Sequence, residues 1–471
     1  MKVLLVKPVV AKNFVLNCIP PLGLGYLATA LREAGINQVG ILDCVKSNLS
    51  YEDFEKKIKC FKPDVVGFSV FSHDLISLEK SLEITKRINS KIITIAGGPH
   101  PSGLPVETLQ EFKQLDYVFC GEAEIGLPKL IHYLQKHSIN KNRNLSSVPG
   151  LTWRDKKGQI KVNAQAYLEN LDSVGYVAWD LLKPQEYPDA PQGVIFRNSP
   201  VAPIMATRGC PFNCTFCAGW TISGKKIRKR QVDNLIGEID LLYHKYGVRE
   251  IHFLDDNFTF FRDYVEDFCH KLIRKEYKIS WCCPNGVRLD TLDQKILKLM
   301  QEAGCYYVSV GIESGSDRIL KLMRKGTKVS KIKKMVQEVH RAGMPINGFF
   351  ILGYPGETKK EILRTISFAK SLDLSRAAFY NYLPLPRTEA YQRLIGSGEL
   401  KEEDIDWSRI FQAEVPYESA TLPHGELKSL QKKAHWEFYL RPIIIWRLLK
   451  EIRSYQQAVY IFRRAKAYMF N

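Results

Sequence analysis

The stretch that decides the fold of this chain is Arg208-Gly209-Cys210-Pro211-Phe212-Asn213-Cys214-Thr215-Phe216-Cys217. Its cysteines are separated by three residues and then by two, so a tight loop can carry three thiolates around one inorganic centre. Thiolates are the ligands of iron–sulfur clusters, whereas tetrahedral zinc needs a fourth ligand, which is missing at finger-like spacing. The polar residues between the cysteines make a chance group of buried thiols a poor explanation. The stretch therefore predicts a cluster with one iron left open.

The CxxxCxxC spacing, with Phe216 before the last cysteine, resembles the cluster loop of the radical S-adenosylmethionine (radical SAM) enzymes. The resemblance implies that Cys210, Cys214 and Cys217 bind a [4Fe-4S] cluster. It further implies that the open iron binds the amino and carboxylate groups of SAM. Electron transfer then cleaves SAM and releases a 5′-deoxyadenosyl radical that abstracts hydrogen.

The composition is that of a large globular protein with an excess of positive charge. A length of 471 residues suffices for two or three domains. The formal charge of +18 favours anionic partners such as nucleotides, phosphorylated metabolites, lipid headgroups or nucleic acid. Eleven cysteines without a secretory signal indicate a reducing cytoplasm. Because no apolar run approaches the roughly 20 residues of a membrane span, we expect a cytoplasmic protein, soluble or peripheral at the inner face of the membrane.

The first third of the chain alternates short apolar runs with amphipathic helical segments. Strands are predicted at Val3–Val6, Val39–Leu42, Val65–Ser69, Ile92–Ala96 and Tyr117–Cys120. This alternation predicts an α/β fold with a doubly wound parallel sheet that binds its ligand at the carboxyl ends of the strands. The loops at those ends are rich in glycine, which lets a large planar ligand approach the backbone. No G-x-G-x-x-G motif follows the first strand, so a dinucleotide module is not indicated.

The order of these loops resembles the cobalamin-binding domain that precedes many radical SAM cores. The resemblance implies that cobalamin contacts Pro21, Gly23, Gly25, Tyr26, Ser69, Val70, Phe71, Gly97, Gly98, His100, Gly121 and Glu122. The D-x-H-x-x-G motif that supplies a cobalt-ligating histidine in other cobalamin domains is absent, because Asp43-Cys44-Val45-Lys46 contains no histidine. Cobalt would therefore lack a histidine ligand from that loop, and His73 and His100 are interpreted as turn or edge histidines.

The cysteines of the N-terminal third allow a different interpretation. Cys18, Cys44 and Cys60 invite comparison with radical SAM enzymes that thiolate transfer RNA and hold a second cluster near the N-terminus. Their flanking motifs do not match, and Cys60 lies at a Lys-rich helix end. Small buried or partly exposed thiols are the favoured interpretation.

From Pro200 to Tyr391 a regular β/α rhythm also resembles the radical SAM core. Strands are predicted at Ala202–Thr207, Glu250–Leu254, Ser280–Asn285, Tyr307–Gly311, Asn347–Leu352 and Arg376–Tyr382. Six parallel units predict a partial TIM-like barrel, (β/α)6, with its site at the carboxyl ends of the strands. The resemblance implies that SAM contacts Phe216, Asp255, Asp256, Asn285, Arg288, Glu313 and Gly353.

Individual roles follow from the chemistry of these side chains. One of the two aspartates can accept hydrogen bonds from the methionyl ammonium, although an ordinary Asx turn is the alternative for both. The resemblance implies that Glu313 accepts the ribose hydroxyls, a task for which a carboxylate is well suited. Glu357 is interpreted as a helix N-terminal acid. Tyr307, Tyr380 and Tyr382 either line the substrate space or belong to the core.

The predicted domain organisation has four parts. Residues 1–142 form the cobalamin-binding domain, 143–199 a hairpin and a Pro-rich linker, 200–395 the radical SAM core, and 396–471 a basic helical extension. The aromatic and basic run Trp436–Lys450, continued by Tyr460–Lys466, can lie in an anionic membrane interface. A helical cap on the barrel with a solvated basic face is the alternative, and no RNA-binding module is recognised.

We expect a cobalamin-dependent radical SAM enzyme that methylates an unactivated carbon of a hydrophobic or lipid-like small molecule. The implied cofactors are the [4Fe-4S] cluster, SAM and cobalamin, with cobalamin between the sheet and the barrel mouth and flavodoxin or ferredoxin as electron donor. The alternatives are a ring-forming or rearranging enzyme like the anaerobic magnesium-protoporphyrin monomethyl ester cyclase, a transfer-RNA methylthiotransferase, and a cobalamin-binding regulator with an inactive barrel. The sequence names no catalytic residue beyond the cofactor ligands, because substrate pockets follow no general motif.

Overall fold

The computed structural model describes residues 1–9, 18–137, 145–188, 196–407, 410, 414–452 and 455–465. The predicted domain boundary at 142/143 and the tail residue Lys466 lie outside these residues. The chain divides into two compact units. The first comprises the described residues of 1–14, 20–183 and 218–230, and the second comprises the rest.

The first unit is built on a seven-stranded sheet. Its elements up to residue 183 are β1 Val3–Lys7, α1 Leu22–Glu33, β2 Val39–Asp43, α2 Tyr51–Phe61, β3 Val65–Ser69, α3 Leu75–Ile88, β4 Ile93–Gly97, α4 Pro99–Gly103, α5 Pro105–Glu111, β5 Tyr117–Phe119, α6 Gly126–Lys136, β6 Leu151–Arg154, β7 Ile160–Val162 and α7 Trp179–Leu182. The strand order is β2-β1-β3-β4-β5-β6-β7, with β1 to β5 parallel and the β6–β7 hairpin antiparallel. Because β2 lies on one side of β1 and β3 lies on the other, the direction in which successive strands are added reverses between β1 and β3. Doubly wound sheets bind ligands at such a switch point.

Local sequence signals set the ends of these elements. Ser50 and Asp53 form a capping box at the start of α2, and Lys62 ends that helix in the left-handed conformation just before a proline. The helices pack on the sheet through fully buried side chains such as Leu31 and Leu130, and each such leucine contributes roughly 1.5–3 kcal/mol. The predicted doubly wound fold is therefore confirmed.

The second unit is built on a six-stranded parallel sheet. The remaining elements of the chain are β8 Val201–Ile204, β9 Thr207–Arg208, α8 Trp220–Ser223, β10 Arg228–Lys229, α9 Val232–Lys245, β11 Glu250–Phe253, α10 Arg262–Arg274, β12 Ser280–Val287, α11 Gln294–Glu302, β13 Cys305–Glu313, α12 Asp317–Leu322, α13 Val329–Arg341, β14 Ile346–Leu352, α14 Lys359–Ser371, β15 Arg376–Asn381, α15 Glu389–Ser397, α16 Glu426–Tyr439, α17 Pro442–Glu451 and α18 Tyr455–Ala465. Of these, α8 and β10 belong to the first unit. The sheet order β15-β14-β13-β12-β11-β8 places each strand beside its successor, as in the predicted partial barrel.

Aromatic side chains hold the helices of the second unit on its sheet. Phe253 on β11 stacks on Phe258 with ring centroids 4.1 Å apart, and both contact Phe268 of α10 and Trp281 of β12. Aromatic side chains bury 150–250 Å² each, so this cluster fixes α10 against two neighbouring strands.

The structure differs from the sequence-based elements at functionally relevant places. The stretch after Gly98, expected to be a loop, forms the helices α4 and α5, each of which has a proline in its first turn. The strands β12 and β13 run on to Val287 and Glu313. Glu313, expected after its strand, therefore lies on it, and Asn285, expected as the last residue of its strand, is followed by two more strand residues.

Candidate functional site

The cysteine loop leaves β9 at the carboxyl side of the second sheet. Gly209 turns the chain with φ +94°, Cys210 and Cys214 are half-buried, and Cys217 is exposed. Within the described residues, these cysteines are not among the groups whose ligand atoms converge within 4.8 Å, as the ligands of a single metal ion would. A [4Fe-4S] cluster binds each thiolate to a different iron and so needs wider separations. The loop therefore fits a cluster better than a mononuclear ion.

Thr215, between the second and third cysteines, anchors the loop to three neighbouring segments. Its backbone N–H donates to Met323 (3.0 Å), and its own carbonyl accepts from the N–H of Ala390 (2.9 Å). Its hydroxyl hydrogen-bonds the Tyr354 hydroxyl at 2.7 Å and lies 3.1 Å from the carbonyl of Leu322. The backbone that carries Cys214 and Cys217 is thus held by buried contacts on both sides.

Charged side chains surround the cysteines. Burial raises the pKa of the Cys210 and Cys214 thiols, and the positive charge of Arg288 acts against this on both. The positive charge of Lys325 also acts to lower the pKa of the Cys214 thiol. Because iron binds the thiolate, these cations favour the ligand form. Arg288 also lies over the ring of Phe212 at 3.7 Å, which fixes its guanidinium beside the loop.

Glu313 is held in a strained conformation at the end of β13. Its φ is +67°, in the left-handed region that residues other than glycine rarely adopt, and the pairing with β14 shifts register there. Its carboxylate accepts a 2.7 Å hydrogen bond from Lys325, and both side chains are nearly buried. Such strain clusters at ligand sites, which supports the predicted role of Glu313.

The two aspartates after β11 occupy different environments. The Asp255 carboxylate accepts hydrogen bonds from the N–H groups of Ala206 and Thr207 and from the Thr207 hydroxyl. Burial raises the pKa of Asp255 to about 7, so this side chain mainly ties β11 to the start of the cysteine loop. Asp256 is exposed as a residue and lies close to Cys210, but its carboxyl accepts a hydrogen bond from the backbone N–H of Gly209, and burial of that carboxyl raises its pKa. The structure therefore favours Asp256 for the predicted contact with the methionyl ammonium.

The remaining predicted SAM residues lie at the same side of the sheet. Asn285 donates to the carbonyl of Leu254 at the end of β11 (2.9 Å), and Arg288 pairs with both oxygens of Asp290. Phe216 packs against the buried group of Ile319, Met323, Tyr354 and Tyr382. Gly353, at φ +75°, donates its N–H to the Glu357 carboxylate at 2.7 Å.

Two tyrosines left open by the sequence belong to the core. Tyr307 and Tyr382 are almost completely buried, and Tyr382 packs edge-on against Tyr354 and Tyr417. Tyr380 is partly exposed and lies beside Phe349. Of the three, only Tyr380 keeps a surface that a substrate could contact.

In the first unit, the loops after β3 and β4 form a compact ledge at adjoining strand ends. The N–H of Val70 donates to Gly97 (2.8 Å), and the N–H of His100 donates to the Val70 carbonyl (3.2 Å). Gly98 has φ +104°, and a Cβ there would lie 2.8 Å from the Val70 nitrogen. Phe71 is 47% exposed at this ledge. Glycine at position 98 therefore lets the two loops pack closely, and the exposed ring of Phe71 leaves a flat apolar surface that fits a corrin.

The His100 side chain is not placed to bind cobalt. It is buried, its Nδ1 lies 3.0 Å from the Ser72 hydroxyl, and burial lowers its pKa to about 4. Ser69 lies beside Gly98. The ledge is joined to β5 because the Ser102 hydroxyl donates to the Gly98 carbonyl (2.7 Å) and accepts from the N–H of Gly121 (3.0 Å).

Several of the predicted cobalamin residues also have structural contacts within the first unit. Glu122 is buried and accepts two hydrogen bonds from Arg228, at 2.7 and 2.8 Å, so its carboxylate is already paired. Gly25 leaves no room for a Cβ because Val177 lies against it, and Tyr26 is buried. Pro21 caps α1, whereas Gly23 is exposed with open space around it.

Sequence reasoning missed Lys325, Arg228, Ser102 and Thr215. No motif marks Lys325, Arg228 or Ser102, and Thr215 occupies a variable position of the cysteine motif; their contacts become visible only in the folded chain. For the proposed second cluster the structure offers no support: Cys44 is buried, with burial raising its pKa to about 12, and Cys60 is exposed on α2. Within the described residues, neither joins a converging group of three ligands.

Comparisons with known proteins agree with this arrangement. Residues 204–369 match the Radical SAM superfamily, and residues 8–131 match the B12 binding domain. An uncharacterized methyltransferase of Pyrococcus horikoshii is 32% identical over 99% of this chain and 97% of its own. The cytidylyl-2-hydroxyethylphosphonate methyltransferase of Streptomyces wedmorensis is 29% identical, over 93% and 90%. The anaerobic magnesium-protoporphyrin IX monomethyl ester cyclase of Rubrivivax gelatinosus is 28% identical, over 80% and 66%.

A solved structure supports the fold. The radical SAM methyltransferase TsrM of Kitasatospora setae, with cobalamin and a [4Fe-4S] cluster bound, superposes with a TM-score of 0.69. The alignment covers 94% of this chain and 90% of TsrM at 17% identity. The order of a cobalamin-binding sheet followed by a radical SAM sheet is thus shared.

Proposed function

This chain belongs to the cobalamin-binding radical SAM enzymes, and from this we propose that it transfers a methyl group to an unactivated carbon of a small molecule. The supporting observation is that one chain joins a cobalamin-binding module to a three-cysteine loop, with methyltransferase-named relatives along nearly its whole length. When bound, the cluster, SAM and cobalamin supply the reductive radical chemistry and the methyl carrier.

The residues of this chain hold and orient those groups. Cys210, Cys214 and Cys217 bind the cluster. Asp256 accepts hydrogen bonds from the methionyl ammonium of SAM, since this exposed residue stands next to Cys210 and its carboxyl is oriented by the backbone N–H of Gly209. Glu313 accepts from the ribose hydroxyls, and Lys325 holds that carboxylate in place through a 2.7 Å hydrogen bond.

Arg288 has a positioning role in the proposed reaction. Its guanidinium is fixed by Asp290 and stacks on Phe212, so it supplies a preorganised positive charge next to the cysteine loop without rearranging. This charge suits the carboxylate of SAM or the thiolates of the cluster.

The substrate and the electron donor belong to the proposal as well. We expect a hydrophobic small molecule, because the one tyrosine left for substrate contact, Tyr380, stands beside Phe349, and a flavodoxin or ferredoxin as donor. A ring-forming reaction is the second candidate, because a cyclase is among the relatives.

The test is anaerobic purification with cobalamin, followed by counts of iron, sulfide and cobalt and by product analysis with SAM labelled in its methyl group. We expect about four irons and one cobalt per chain, deoxyadenosine, and a labelled product. A Cys210→Ala/Cys214→Ala/Cys217→Ala variant is the control, which should keep cobalt and lose iron and deoxyadenosine. Deoxyadenosine with an unlabelled, ring-closed product would favour the cyclase, and about eight irons without cobalt would favour thiolation.

A further inference from the structure

The helix α17 presents apolar side chains to solvent as well as to the protein. Ile444 is buried on one side, whereas Ile443, Ile445, Trp446 and Leu449 are 40–62% exposed. At 100° per residue these four point away from Ile444, on the opposite half of the helix. Leu440, just before the helix, is also half exposed. Surface helices of soluble proteins normally turn their polar side outward, so this C-terminal apolar face (Leu440, Ile443, Ile445, Trp446 and Leu449) requires an occupant.

The surroundings of this face are cationic. Residues 440–471 contain seven Lys and Arg but one acidic residue, Glu451, and Glu451 is paired with Arg376. Lys450 lies over the Trp446 ring at 3.5 Å. On the following helix α18, Tyr455 and Phe462 are 84% and 71% exposed. Apolar and aromatic side chains interleaved with unbalanced positive charge are typical of helices that lie in anionic lipid interfaces.

The position of α17 separates this face from the catalytic site. Arg447 donates to the carbonyl of Leu374, and Glu451 pairs with Arg376, so the helix is fixed at the amino end of β15. The cysteine loop and Glu313 lie at the carboxyl ends of the strands. The face therefore serves attachment and is not the entrance through which substrate reaches the cluster.

We propose that the C-terminal apolar face docks on an anionic lipid surface, with α17 lying in the plane of the interface. Trp446 and Leu449 enter the boundary between headgroups and acyl chains, while Lys450 contacts lipid phosphates. Within the described residues no helix is long and apolar enough to cross a bilayer, so the attachment is peripheral. This inference is independent of the proposed reaction, because vesicle binding requires neither cofactors nor substrate.

The experiment is flotation of the full chain with vesicles of phosphatidylglycerol or of phosphatidylcholine. We expect binding to the anionic vesicles, about tenfold or more weaker binding to the neutral ones, and loss of binding at high salt. Trp446→Gln/Leu449→Gln should weaken binding about tenfold or more, and Lys450→Glu should weaken it without changing the apolar area. Ile273→Gln/Leu363→Gln removes two exposed apolar side chains elsewhere and should bind like wild type.

Three outcomes would overturn the proposal. They are no binding of the wild type to anionic vesicles, equal losses in the α17 and control variants, and a wild-type dimer in gel filtration that the α17 variant dissociates. The last would assign the face to a second copy of the chain.

Discussion

The buried pair of Glu122 and Arg228 offers a quantitative test of the first unit. Both side chains are about 95% buried, and they share two hydrogen bonds of 2.7 and 2.8 Å. Arg228 also donates to the carbonyls of Leu168 and Ser223. Arg228→Met leaves the Glu122 carboxylate in the interior without its guanidinium partner, and breaking a buried pair in this way costs about 3–5 kcal/mol.

In a unit of this size, 1 kcal/mol lowers Tm by about 2–4 °C, so we expect Arg228→Met to lower the Tm of the first unit by about 10 °C. Adding Glu122→Gln removes the unpaired charge and should recover most of that loss. The assay is a double-mutant cycle by thermal denaturation monitored with circular dichroism, together with cobalamin titration of each variant by absorbance.

The two measurements separate a structural pair from a cobalamin contact. If Glu122 is structural, the double variant regains both stability and cobalamin binding. A double variant that is stable but binds no cobalamin would show that Glu122 touches the corrin. An Arg228→Met variant as stable as wild type would refute the energetic argument itself.

Three further predictions concern other parts of the two units. Gly98→Ala should destabilise the first unit by about 1–3 kcal/mol, because Gly98 has φ +104° and the added Cβ would meet the backbone of Val70. The control is Gly23→Ala, whose added Cβ would have no atom within 4 Å. Equal melting curves for the two variants would contradict the prediction. Burial raises the pKa of Glu357 to about 8 from 4.5, so the folded chain keeps a proton that the unfolded chain releases, and stability falls as pH rises between these values. Between about pH 6 and about pH 9, this loss of stability amounts to about 3 kcal/mol in the wild type and should be absent from Glu357→Gln. Parallel pH profiles of Tm for the wild type and the variant would exclude the raised pKa of Glu357. With rates expressed per iron-loaded chain, Lys325→Met should raise the KM for SAM more than it lowers kcat, because Glu313 loses its partner. Unchanged SAM kinetics in the iron-loaded variant would remove Glu313 from the site.

The fold was predictable because it depends on patterns that repeat along the chain. Buried parallel strands read as short apolar runs, and amphipathic helices separate them, so both sheets follow from the order of segments alone. The cysteine loop was predictable for a different reason, since its three ligands lie within eight residues. The sequence-based element ends were off by only a few residues, except where prolines start α4 and α5.

The pairing of charged side chains was not predictable, because it depends on which distant segments meet. Glu122 looked like a ligand residue in a glycine-rich loop, and nothing nearby points to Arg228. Asp255 and Asp256 are adjacent and identical in type, yet Asp255 is buried against the N–H groups of Ala206 and Thr207, whereas Asp256 is an exposed residue that accepts from Gly209. The exposed face of α17 was visible only as a basic aromatic run, since its direction depends on how the helix packs.

The path of the chain also bears on its synthesis. Arg228 lies 106 residues after Glu122, and at about 5–20 residues per second the ribosome needs roughly 5–20 s to make that interval. Until then the nascent first unit contains a carboxylate whose buried counterion has not been made. A fragment that ends after the N-terminal sheet would never acquire Arg228. We expect this fragment to aggregate unless residues 218–230 are supplied with it.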